Sequence, residues 1–243
     1  MLMLVALLAG CRMQLDTTIV IDDDGSGTVT QAVGLDPAAL ARIGDLERQV
    51  AVDDLRAAGW TVDPPVLEGD TTWVRARREV KDTTELAVVV SQLNGAQGPF
   101  LDLGAGRRDT FLERVTEFTA TYDLTKGAAL FSDPELDAVA GNPWGALLAE
   151  IEAEEGRPPS EMVETSVTVV LPGGVTQTWE PAFGDAEPTQ IAAKSTQSKL
   201  GERATQLGIA VLVLATVGFV WWGLRARRRR RQGILHSRFA ARR

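Results

Sequence analysis

The sequence is short of the side chains on which most disulfide, metal and hydrolytic chemistry depends. Its 243 residues include one cysteine, one histidine and one tyrosine. A single thiol excludes an internal disulfide framework. The only histidine, His236, stands among arginines near the C-terminus, far along the chain from the serines of the body. A Ser-His-Asp hydrolase needs an imidazole beside its nucleophile, and zinc needs thiolate or imidazole donors. The body supplies neither. No glycine-rich phosphate loop opens a helix after a strand, because Gly104-Ala105-Gly106 reads as the turn of a hairpin. No internal repeat is present. Carboxylates are plentiful, yet no spacing singles out the pair that glycoside hydrolysis requires, and solvated acidic faces account for them. We therefore expect no enzyme, no metal site and no cofactor.

Against these absences stands one long apolar run. Leu207 to Leu224 carries no ionisable residue, and Arg225 and Arg227 to Arg231 follow at once. About 18 apolar residues suffice to cross the ~30 Å hydrocarbon core as a helix, the form that satisfies its own backbone where water is absent. A soluble core helix would keep a polar face; this run is apolar all round. We expect a transmembrane helix over 204–224, with Trp221 and Trp222 at the interface and the arginines on the cytoplasmic side.

Charge is divided along the same line. Of 25 Lys+Arg and 33 Asp+Glu, the segment 225–243 holds nine arginines and no acid, which leaves sixteen cations against all 33 acids in the rest, a net charge of −17 there. Such a body repels phosphate, so nucleic acid is not an expected partner. The tail suits anionic inner-leaflet lipid.

At the other end, Met1 to Leu8 is apolar and runs into Leu8-Ala9-Gly10-Cys11, the pattern of a bacterial lipobox, in which small residues precede a cysteine that takes a diacylglyceryl group. Residues 1–10 are expected to be a lipoprotein signal peptide and Cys11 the lipidation site. No basic residue precedes that run, so the translation start is expected upstream.

Residues 11–186 form the expected extracytoplasmic domain. Met13, Leu15, Thr17, Ile19 and Ile21 alternate as in a half-buried strand. Asp22 to Gly27 is a turn, since the twelfth position of a calcium loop starting at Asp22 would be Val33 and not glutamate. Val29, Val33 and Leu35 return. Asp36-Pro37 opens a helix with the stripe Leu40, Ile43, Leu46 and Val50. Asp53 to Ala58 is a second helix ended by Gly59, and an extended piece through Trp60 and Val62 stops at Pro64-Pro65. Trp73 to Val80 reads as a strand with Val74, Ala76 and Val80 inward. Asp82 to Glu85 starts a helix with the stripe Leu86, Val89, Val90 and Leu93, stopped at Asn94-Gly95. Phe100 to Leu103 pairs with Thr110 to Leu124 around the glycines, with Leu112, Thr116, Phe118, Ala120, Tyr122 and Leu124 on one face. Residues 126–160 read as a helical insertion. Glu161 to Leu171, Pro172-Gly173-Gly174 and Val175 to Trp179 make a last hairpin. Residues 187–203 read as a tether with at most a short strand near Ile191. The fold class is α+β: an antiparallel sheet with helices packed on one face, plus the C-terminal span.

Taken in order, Leu8-Ala9-Gly10-Cys11, Asp24-Gly25-Ser26-Gly27, Ala58-Gly59-Trp60, Val169-Val170-Leu171-Pro172-Gly173 and one C-terminal span resemble the actinobacterial LppM-like lipoprotein family. The resemblance implies an extracytoplasmic α+β domain with an apolar cavity between sheet and helices, associated with binding envelope lipids. A lipid site needs apolar walls and a few polar groups at its mouth. Trp60, Trp73, Val89, Phe111, Phe118, Tyr122 and Trp179 are the lining candidates; Arg75, Arg77, Arg107 and Arg108 are the head-group candidates. Core packing for the aromatics and acid pairing for the arginines are the plainer assignments. Partners expected are membrane lipids, an envelope lipid ligand or, alternatively, a membrane-protein complex on which a non-enzymatic accessory subunit docks.

Overall fold

The computed structural model describes residues 12–43, 52–93, 98–127 and 156–200, with 150, 152–154, 209, 211–217 and 221–222 in shorter stretches. The expectations for residues 1–11, Leu46, Val50, Asn94-Gly95, most of 126–160 and the arginine tail lie outside the described residues. The chain divides into two compact units, residues 1–109 with 115–197, and residues 110–114 with 198–243.

The period-two patterns become strands. β1 (Met13–Ile21) and β2 (Gly27–Leu35) pair antiparallel, Ile19 opposite Val29. Their turn is closed by hydrogen bonds from Asp22 N to Ser26 O and Gly25 N to Asp22 O, with Gly25 at φ +93°. Asp36 then does two jobs: one carboxylate oxygen accepts from Ala39 N at the start of α1 (Pro37–Ile43), the other from Arg12 N at the foot of β1. α2 (Val52–Ala57) ends as its sequence directs. Gly59 takes φ +87°, and Trp60 N and Gly59 N return to Leu55 O and Arg56 O, a Schellman closure.

β3 (Thr61–Val62), β4 (Val66–Glu68) and β5 (Thr71–Val80) follow, with β3 and β4 both lying against β5. Asp82 caps α3 (Thr83–Gln92) by accepting from Thr84 N and Glu85 N, and Glu85 accepts from Lys81 N in return. Leu86, Val89 and Val90 are its buried stripe. β6 (Phe100–Asp109), β7 (Glu113–Tyr122), β8 (Val163–Leu171), β9 (Val175–Trp179) and β10 (Thr189–Ser198) complete the fold.

Seven strands form one sheet, in the order β3-β5-β2-β1-β8-β9 with β4 attached to β5; three form a second, β10-β7-β6. Ile19, Val29, Val167 and Val169 of the first share one apolar cluster with Leu86, Val89 and Val90 of α3 and with Phe118 and Ile191 of the second. Each such side chain contributes about 1.5–3 kcal/mol by leaving water.

Three expectations are corrected. The α+β class stands in coarse form, mostly sheet with few helices, but the sheet is not purely antiparallel: β1 and β8 run parallel, Thr17 beside Val167. Strands 150 residues apart carry no local signal of their pairing. Gly104-Ala105-Gly106 lies inside β6 and not in a turn. A side chain at Gly104 would meet Thr119 Oγ1 of the neighbouring strand at 2.6 Å, so close approach accounts for this glycine. The turn falls at Thr110–Leu112 instead, which leaves Leu112 exposed while Thr116, Phe118, Ala120, Tyr122 and Leu124 are buried.

The proposed tether 187–203 contains the ten-residue β10. Of its inward residues Ile191, Ala193 and Ser195 only the first is strongly apolar, so their alternation is faint; Ser195 Oγ donates to Pro172 O. Thr121 Oγ1 bonds Gln190 Oε1 at 3.3 Å and Lys194 meets Glu117 at 2.6 Å, a register in which β10 runs antiparallel to β7. Among the described residues no helix is long and apolar enough to cross a membrane, and the expected span 204–224 falls partly outside them. Of the run expected to span, residues 211–217 are helical.

Candidate functional site

The lining candidates separate by strand parity and burial. Trp60, Val89, Phe118 and Tyr122 are buried and belong to the one packed core. Tyr122 stands edge-on to Phe100, ring centroids 4.7 Å apart and planes at 69°. Burial pushes its hydroxyl above the ordinary tyrosine range. Trp179 is half-buried at the end of β9, opposite Val167, and leans on the same core. Phe111 is exposed at the β6–β7 turn.

Trp73 belongs to the other face of the first sheet. It lies across Gly34, where any side chain would come within 3.0 Å of the indole. Arg75 stacks over that indole at 5.2 Å and donates two hydrogen bonds to Glu68, at 2.8 and 2.7 Å, across the β4–β5 pair. Such a bidentate fork is the stronger kind of ion pair. The bonds hold the Glu68 carboxyl below its usual range and the guanidinium above its own. Arg77 lies 3.6 Å from Asp63.

Arg107 reaches from β6 to Asp24 O in the β1–β2 turn and pairs with Asp109 at 2.7 Å. Asp24 is held low, first by the hydroxyl and N–H of Ser26 and only weakly by this arginine. Arg108 acts on Glu117, whose carboxyl is lowered chiefly by its hydrogen bond from Lys194. The four head-group candidates, Arg75 and Arg77 on β5 and Arg107 and Arg108 on β6, thus face carboxylates or backbone, and they do not converge with the buried aromatics.

A cavity of about 430 Å³ lies elsewhere, where β1 and β8 run side by side. Gln14, Asp16, Glu164, Ser166, Glu180 and Ala182 are among its walls. Ser166 Oγ donates to Asp16 at 2.7 Å and Gln14 Nε2 to Glu164 at 3.0 Å. Carboxylates and hydroxyls of this sort suit a hydrogen-bonding group and not a hydrocarbon chain. Sequence reasoning missed these residues. Their only signal is outward parity on β1 and β8, and the parallel pairing that joins them leaves no local trace.

The lowered carboxyls have a consequence for stability. Asp24, Glu68, Glu117 and Asp123 all have folded pKa values below their ordinary ones, Asp123 through the side chain and N–H of Thr125. Their contribution is complete above about pH 5 and is lost as pH falls through the folded values. Three of the four are exposed and Asp123 is half-buried, so the melting temperature should fall only gradually from about pH 5 to about pH 2. A melting temperature that rises over that interval would contradict the pairings.

No protein-family profile matches the chain. No curated protein matches it. Among solved structures it is similar to the folded domain of the Mycobacterium tuberculosis LppM protein, determined by NMR, with 12% identity over 79% of this chain and 94% of that one at a TM-score of 0.39. A superposition of that quality does not establish a common fold.

Proposed function

We propose that this chain is a membrane-anchored extracytoplasmic lipoprotein that works by binding and not by catalysis. The observation that carries the reading is the state of the apolar run. Val211, Leu212, Val213, Leu214 and Val217 lie on a helical stretch, and their exposures run from 52% to 71%. Side chains pointing in every direction from that helix are left uncovered by protein, and a bilayer is the solvent that suits them. The arginines after it put the tail inside and the β-rich domain outside, and a lipid on Cys11 holds the domain's other end to the same membrane. Among the described residues the buried aromatics act as core and the candidate arginines as structural ion pairs.

Envelope lipid is the ligand this position offers. The site for its acyl chains is the interior between sheet and helices, around Trp60, Phe118 and Tyr122, and it requires those elements to part. The filled core favours a second reading, an accessory subunit docking on an envelope membrane protein. Ectodomain 12–203 purified from cells that carry the native envelope lipids decides between them. Lipid extracted from it in stoichiometric amount supports the first. Ectodomain that purifies empty and binds no envelope lipid removes that reading and leaves the second.

A further inference from the structure

The smaller unit brings together two segments far apart in sequence, residues 110–114 and the chain that leaves β10 at Ser198. The first is a turn locked by its own hydrogen bonds. Thr110 N donates to Glu113 O at 2.8 Å, Glu113 N to Thr110 Oγ1 at 3.0 Å, and that hydroxyl donates to Glu113 O at 2.9 Å. A turn closed this way holds its two middle residues outward, and both are apolar. Phe111 is 65% exposed and Leu112 49%. Single exposed apolar side chains are ordinary on any protein surface, so exposure alone points to nothing.

What sets this pair apart is its neighbour. Lys199 N donates to Leu112 O at 2.7 Å, and Lys199 Nζ reaches Thr110 O at 3.5 Å. Leu200, the next residue, is 60% exposed. Three apolar side chains therefore gather at a point from which eight residues of chain lead to Leu207, where the apolar run begins. Eight residues cover about 12 Å as a helix and at most about 29 Å when extended. Either length ties the turn to within about 29 Å of the start of the run, close enough for it to meet the head-group region, which extends several ångströms beyond the ~30 Å core.

Charge agrees. Among the described residues of this unit near the turn, Arg114 and Lys199 outnumber Glu113, in a body whose net charge is −17. This is a part of the acidic domain that an anionic lipid surface does not repel.

We propose that the Thr110–Leu112 turn docks into the outer-leaflet interface of an anionic phospholipid bilayer beside the chain's own span, with Phe111, Leu112 and Leu200 entering the acyl boundary. This rests on the anchoring reading above. Aromatic and leucine side chains flanked by cations are the chemistry of interfacial segments. The contact adds a second point of attachment to the covalent one at Leu207.

The test uses the full chain with Cys11→Ser, so that one introduced cysteine carries an environment-sensitive fluorophore. The protein is reconstituted in vesicles of phosphatidylcholine and phosphatidylglycerol in about equal parts, with or without a spin-labelled quencher on the acyl chain. Labels are placed by Phe111→Cys, by Val213→Cys within the run, and by Leu67→Cys, an exposed apolar position of the larger unit. Quenching at 111 should be roughly threefold or more that at 67, since interfacial burial carries a side chain about 5–10 Å into the head-group and acyl boundary. Quenching at 213 without quenching at 111 overturns the docking and spares the anchor. No quenching at 213 overturns both. Equal quenching at 67 and 111 shows general adhesion of apolar side chains and also overturns the proposal.

Discussion

Phe118→Ala should destabilise the domain by about 3–5 kcal/mol, measured by urea unfolding of residues 12–203. Phe118 is fully buried near the middle of β7, in the cluster that joins the two sheets and α3. Its removal deletes apolar contact and leaves a cavity whose walls belong to different elements, so no single side chain can relax to fill it. Natural domains have only about 5–15 kcal/mol in all. The variant should therefore unfold at much lower urea. If instead it loses under about 1 kcal/mol, the interior is open around Phe118, and the lipid-cavity reading gains what the packed-core reading loses.

The second large effect concerns attachment. A chain carrying Cys11→Ser and lacking residues 204–243 should move almost wholly from the membrane pellet to the soluble fraction, whereas either change alone should leave it in the pellet. A spanning helix inserts in effect irreversibly, and a diacylated cysteine brings two chains at about 0.8 kcal/mol per buried CH₂, so each anchor suffices by itself. Sedimentation of the three variants after an alkaline wash reads the result directly. Release by Cys11→Ser alone would mean that the run does not span. Retention of the doubly altered chain would reveal a further membrane contact in the domain strong enough to hold it alone.

Much of the fold is legible in the sequence because burial writes itself at period two. Val74, Ala76 and Val80 face inward on β5 and Val163, Val167, Val169 and Leu171 on β8, with polar residues between them except at Val170. Helix punctuation is equally local: Asp36, Gly59 and Asp82 stand where the caps form. What escapes is whatever depends on a partner distant in sequence. β4 is a short strand with no buried residue, present because β5 lies beside it. β10 buries alanine and serine, which signal little by hydropathy, and its partner is more than 60 residues away on β7. Gly104 of β6 reads as part of a turn because its close approach to Thr119 cannot be distinguished from conformational freedom in a single sequence. The candidate arginines could be named as exposed pairs, yet which acid each would find, Glu68 for Arg75 or Asp63 for Arg77, depended on the sheet order.

The parallel seam between β1 and β8 also dictates a sequence of events. Residues such as Gln14 and Glu164, 150 positions apart, become neighbours only in the finished sheet. A chain delivered N-terminus first, at roughly 5–20 residues per second, would hold its opening strand with one edge bare for on the order of ten seconds before the matching edge emerged. Until then an escort that shields strand edges would have its work at Met13–Ile21.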